Sequence, residues 1–230
     1  MTEIAHGTVI VQSGEAVLPR WWRTVDRVTI FCVLTLFAIG ILLGFAASTP
    51  LAERNGLDPF HYVIRQAAFG AMGLSAMILV SMLGPVTIRR LGVLGFFGAV
   101  LALGMLPALG TDFGQGAIRW YSLGFASVQP AEFLKPVFVV FTAWMIAASQ
   151  EIGGPPGKTV SLVVMMTIVG FLVMQPDFGQ AALVVFAWSV IYFVAGAPMM
   201  ILFAVMGVVA LGGAFAYANS EHVARRIDGF

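Results

Sequence analysis

Gln129-Pro130-Ala131-Glu132-Phe133-Leu134-Lys135-Pro136-Val137-Phe138-Val139-Val140-Phe141-Thr142-Ala143-Trp144-Met145-Ile146-Ala147-Ala148-Ser149 opens with two charges and then stays apolar for the length of a membrane crossing. A helix needs about 20 apolar residues to cross the hydrocarbon layer, fewer where neighbours shelter its ends. The run 131–149 meets that requirement, and the pattern recurs along the chain near 28–47, 63–84, 92–110, 159–175, 181–197 and 199–218. Seven spans are therefore expected, the break between the last two resting on Gly196-Ala197-Pro198. Every backbone polar group in hydrocarbon must find its partner within the segment, so the expected fold class is all-α, a polytopic transmembrane helical bundle.

Composition agrees with lipid as the solvent. Of 230 residues, 60% are hydrophobic and 10% charged, and the mean hydropathy is +0.95; a water-soluble surface cannot be built from this. A net charge of +1 without any basic run gives no electrostatic case for nucleic acid. The single cysteine, Cys32, excludes an intramolecular disulfide and reads as a small buried hydrophobe. There is no Walker loop, HExxH, CxxC or nucleophile elbow, and His6, His61 and His222 are scattered, so ATP-driven and zinc-dependent chemistry have no support.

Residues 1–26 are polar, lack a cleavage site and read as an irregular extramembrane tail, 27–218 as the transmembrane domain, and 219–230 as the start of an outer loop. The loop charges do not orient the bundle. With the tail inside, Arg20, Arg23, Arg27, Arg89, Arg90 and Lys158 face Arg54, Arg65, Arg119, Lys135, Arg225 and Arg226, six against six. The three arginines flanking the first span favour a cytoplasmic N-terminus.

Charges beside a membrane are expensive unless paired or wet, so the few that the apolar runs admit are informative. Gly114-Gln115-Gly116-Ala117-Ile118-Arg119-Trp120-Tyr121-Ser122-Leu123-Gly124 is a glycine-punctuated stretch with an interfacial aromatic pair. Glu132 and Lys135, three apart at the opening of the fourth span, share a helix face and can pair. Gln175-Pro176-Asp177-Phe178-Gly179-Gln180 joins the fifth and sixth spans, two crossings after Gln129, and must emerge on the same membrane face. Arg119, Gln129, Glu132, Lys135, Gln175 and Asp177 are thus expected to line one water-accessible site. Plainer readings stand beside this: an interfacial anchor loop, a snorkelling lysine, and Asp177 as an ordinary turn residue.

In order and on these spans, Gly116-Ala117-Ile118-Arg119-Trp120-Tyr121-Ser122-Leu123-Gly124, then Gln129-Pro130-Ala131-Glu132-Phe133-Leu134-Lys135-Pro136, then Gln175-Pro176-Asp177-Phe178-Gly179 with Ala195-Gly196 resemble the SEDS family of FtsW, RodA and SpoVE, most of all FtsW. The resemblance covers residues 26–230 and implies a fold of about ten helices, of which seven are here. It also implies a peptidoglycan glycosyltransferase that polymerises lipid II at the division septum, multi-pass in the bacterial cytoplasmic membrane. Its partners would be a class B penicillin-binding transpeptidase and other division proteins.

In that chemistry a carboxylate takes the acceptor hydroxyl's proton and cations hold the departing pyrophosphate. The resemblance makes Arg119 and Lys135 the cations, with Glu132 positioning Lys135 and Asp177 shaping the cavity. The family's catalytic aspartate belongs to an outer-loop segment that this chain does not contain, so no residue here is assigned as catalyst, Asp228 included, and the chain reads as an N-terminal fragment. No cofactor is evident; a divalent cation, Mg or Mn, is the one candidate, without metal-ligand spacing to support it. The alternatives are a lipid II flippase, a non-catalytic divisome scaffold, and an elongation role like that of RodA.

Overall fold

Leu18, Trp21 and Trp22 recur at helical spacing against Arg23, and the computed structural model forms a short helix there, α1 (Val17–Thr24). The structure describes residues 17–112, 118–124 and 126–219. Expectations for the tail before Val17, for Gly114 to Ala117, and for Arg225, Arg226 and Asp228 lie outside the described residues, as do His6 and His222. α1 lies within the segment 1–26 expected to be an extramembrane tail. A search for runs long enough to cross a membrane passes over an amphipathic segment of two turns.

The chain divides into two compact units, Met1–Pro85 and Val86–Phe230. In the first, Asp26 caps α2 (Arg27–Arg54) by accepting from the Val28 amide at 2.9 Å and the Thr29 hydroxyl at 2.6 Å. Those two donors, the Thr29 hydroxyl foremost, hold the Asp26 carboxyl below its ordinary range. A turn through Asn55 and Gly56 returns the chain into α3 (His61–Ser81), which packs back along α2. Gly40 and Gly44 make room for Gln66, whose amide Nε2 donates to the Gly40 carbonyl at 3.1 Å, and Gly70 receives the Phe37 ring. Lipid tails are as apolar as leucine, so close approach and hydrogen bonds of this kind hold helices together in a bilayer.

The second unit holds α4 (Pro85–Leu109) from its second residue onward, a small hairpin of β1 (Tyr121–Ser122) and β2 (Ser127–Val128), and α5 (Pro130–Ala148), α6 (Gly157–Met174), α7 (Phe178–Val194) and α8 (Met199–Asn219). Proline opens both α4 and α5, where its missing N–H is no loss. α4 lies against α5 through Gly92 beneath Val140 and Gly95 beneath Val137, with Phe96 and Phe141 stacked at 4.2 Å. The core is centred on α5, α6 and α7: Leu134, Phe138, Met165, Leu172 and Trp188 are fully buried there. Trp188 donates its indole N–H to Ser161 at 3.2 Å and stacks on Tyr192 at 4.5 Å, so the polar end of the largest core side chain has a partner.

All seven apolar runs are helical in the structure, with α2 continuing past its expected end to Arg54 and α4 starting earlier, at Pro85. Among the described residues five helices, α2 to α6, are long and apolar enough to cross a membrane, and α7 and α8 are apolar but shorter over their qualifying stretches. The protein is a multi-pass helical membrane protein.

Candidate functional site

α5 and α7 begin side by side, and their first turns are joined by two polar rungs at the same sequence offset. Gln129, the residue before α5, donates its Nε2 to Asp177 Oδ2 at 3.0 Å, and Asp177 is the residue before α7. Three residues further along each helix, Gln180 donates its Nε2 to Glu132 Oε1. Three-residue spacing keeps both rungs on one face of each helix. The second oxygen of Glu132 meets Lys135 Nζ at 2.7 Å, and this pair is part-exposed, with 29% of the Lys135 side chain and 49% of the Glu132 side chain accessible.

Arg119 approaches the same corner from the hairpin. Its Nε donates to the Gln175 carbonyl at 2.9 Å and its Nη2 to the Pro176 carbonyl at 2.8 Å. These carbonyls lie just past the end of α6, where the last turn leaves acceptors without partners and the helix dipole favours a cation. Gln175 is buried and reaches the Leu103 carbonyl of α4 with its amide at 3.4 Å. The hairpin that presents Arg119 is itself anchored: Thr111 N–H bonds the Trp120 carbonyl at 2.9 Å, and Tyr121 OH donates to the Ala102 carbonyl at 2.7 Å. Burial raises the Tyr121 phenol above its ordinary pKa.

The six residues singled out from the sequence therefore gather at one end of the α5–α6–α7 core, in two linked groups. Arg119, Gln129, Gln175 and Asp177 tie the α6–α7 corner to its neighbours; Glu132 and Lys135 form an accessible ion pair beside it. Two residues escaped sequence reasoning. Gln180 repeats, relative to Asp177, the three-residue spacing that separates Glu132 from Gln129, a signal visible only once the two helices are known to start level. Tyr121, one of the interfacial aromatic pair, has a further role that its sequence context does not announce: its hydroxyl holds the hairpin to α4.

What the arrangement offers chemically is one lysine ammonium at an accessible edge, held by a carboxylate that an amide fixes from the other side. Among the described residues no three His, Cys, Asp or Glu side chains come together as a metal-binding group.

Fold and site together define a polytopic helical membrane protein with a polar corner built on proline-led helix starts. The family described as "Cell cycle protein", that of FtsW, RodA and SpoVE, matches residues 26–230, and the chain belongs to it. It is 33% identical to the probable peptidoglycan glycosyltransferase FtsW of Caulobacter vibrioides over 220 residues, covering 95% of this chain and 56% of that protein. It is 32% identical to the protein of the same description from Acinetobacter baylyi, covering 90% of this chain and 53% of that one. The chain spans about half the length of these curated relatives. Among solved structures, the rod shape determining protein RodA of Thermus thermophilus superposes with a TM-score of 0.68 at 26% identity, covering 83% of this chain and 60% of RodA. A chain of a peptidoglycan synthase complex that coordinates polymerization and crosslinking shares the fold at a TM-score of 0.69 and 23% identity over 91% of this chain and 61% of that one.

Proposed function

We propose that this chain supplies the donor-holding half of a glycosyltransferase that polymerises lipid II into peptidoglycan strands, acting at the division septum of the cytoplasmic membrane with its N-terminus inside. Support comes from the family, from FtsW relatives described as probable peptidoglycan glycosyltransferases, and from one observation above all. The Lys135 ammonium stands at an accessible edge, braced through Glu132 by Gln180. A pyrophosphate leaving from an anomeric carbon develops negative charge, and a preorganised cation that needs no rearrangement is what lowers that barrier. Lys135 takes this role. Glu132 keeps the ammonium from swinging, and Arg119, whose guanidinium already bonds two backbone carbonyls, acts by fixing the corner.

The base for the acceptor hydroxyl is assigned to no residue here: Glu132 is paired on both oxygens and Asp177 accepts from Gln129. A single-helix penicillin-binding transpeptidase is the proposed partner, and lipid II the substrate. The test is polymerisation by the complete protein with purified lipid II. Glycan product is expected, falling about 100-fold in Lys135→Ala, the usual loss for one transition-state donor. Movement of lipid II across vesicles with no glycan formed would replace this reading with that of a flippase.

A further inference from the structure

α1 takes no part in the proposed chemistry, yet it is built to meet a surface. Its eight residues, Val17 to Thr24, contain no acid and carry Arg20 and Arg23, with Arg27 opening the next helix. At helical spacing Leu18, Trp21 and Trp22 share one arc, and positions 20 and 23 lie together on the opposite one. Trp21 fixes the helix in place: its indole N–H donates to Ser81 Oγ at 2.8 Å, at the very end of α3 and level with the start of α2. Leu18 and Trp22 are left 66% and 53% exposed, and the Arg27 guanidinium sits 5.4 Å from the Trp22 ring centre.

An exposed leucine and tryptophan beside arginines, at the level where a membrane-spanning helix emerges, match the chemistry of the headgroup layer. Tryptophan settles where one side is apolar and the other wet, and arginine is drawn to anionic headgroups. Continuity with α2 fixes the depth at which this face sits, and its charge selects the occupant. We infer that α1 is an interfacial helix that binds anionic lipid, with Leu18 and Trp22 entering the acyl boundary and Arg20, Arg23 and Arg27 supplying positive charge to the phosphates.

The experiment uses the complete protein in a cysteine-free background, Cys32→Ala included, carrying Leu18→Cys labelled with an environment-sensitive fluorophore. It is reconstituted in nanodiscs of phosphatidylcholine with or without phosphatidylglycerol. Phosphatidylglycerol should shift the emission to the blue and protect the probe from acrylamide, an uncharged quencher. At low salt, Arg20→Gln and Arg23→Gln should each lower the bound-to-free ratio about five-fold, and high salt should abolish the difference between the lipids. Emission and quenching that are identical in both lipids, or unchanged by the arginine substitutions, would overturn the inference. Trp22→Ala supplies a second arm: it should weaken protection in both lipids while leaving the dependence on lipid charge intact, and loss of that dependence would count against separate apolar and ionic contributions.

Discussion

Arg119 is the residue whose surroundings most change its meaning. Its two hydrogen bonds go to the Gln175 and Pro176 carbonyls just past the end of α6, where a helix leaves acceptors without intrahelical partners. Arg119→Ala should lower stability by about 2–3 kcal/mol, as expected for losing charge-assisted bonds and exposing their acceptors, read as a lower Tm in detergent. Arg119→Lys keeps the charge but not the fork and should recover only part of it. Recovery by lysine of full stability would mean that charge, not the two-pronged geometry, is what the corner needs. The Gln129–Asp177 and Gln180–Glu132 rungs make a second prediction at this scale. In a double-mutant cycle, Gln129→Leu and Asp177→Ala should couple by about 1 kcal/mol or more, while Gln129→Leu and Arg65→Ala, in separate units, should add without coupling. The sequence made Glu132 and Lys135 legible as a pair because three-residue spacing alone brings them together. It could not show that Arg119 faces backbone carbonyls, since a carbonyl leaves no mark in a sequence.

At the scale of the element, glycine marks where helices close on one another, and its replacement separates rigid from yielding neighbours. A Cβ at Gly157 would press on the Met145 carbonyl, part of the backbone at the end of α5, whereas one at Gly44 would meet only the flexible end of Gln66. Gly157→Ala should therefore destabilise by about 1–3 kcal/mol, and Gly44→Ala by less than about 1 kcal/mol. Thermal melts of the two proteins in the same detergent check the order. The start of α2 adds a pH test. The Asp26 carboxyl is held below its ordinary value of 3.8, so its capping contribution is complete above that value and fades as pH falls through the lower native one. Amide exchange at Val28 should quicken over that acid range in the native protein, and in Asp26→Ala should be fast already at neutral pH. Helix positions were largely readable, because the apolar runs that must cross lipid announce themselves. α1 and the hairpin were not: one is too short for a hydropathy scan, and the other owes its pairing to Thr111, Trp120 and Ala126 bonds set by the tertiary fold.

For the molecule as a whole, the claim that matters is that α5 and α7 start on one side of the membrane and carry the polar corner there together. Parity of crossings suggested this from the sequence, and the two rungs join the helix starts directly. Which side of the membrane that is could not be read from six cations against six, and the bundle's own packing is indifferent to it. Side-specific labelling decides both points at once. In a cysteine-free background of the complete protein, Glu132→Cys in the first turn of α5 and Gly179→Cys in the first turn of α7 are exposed to a membrane-impermeant maleimide in intact cells. The account predicts that both react from outside the cytoplasmic membrane; reaction of one from outside and the other only from the cytoplasm would contradict it.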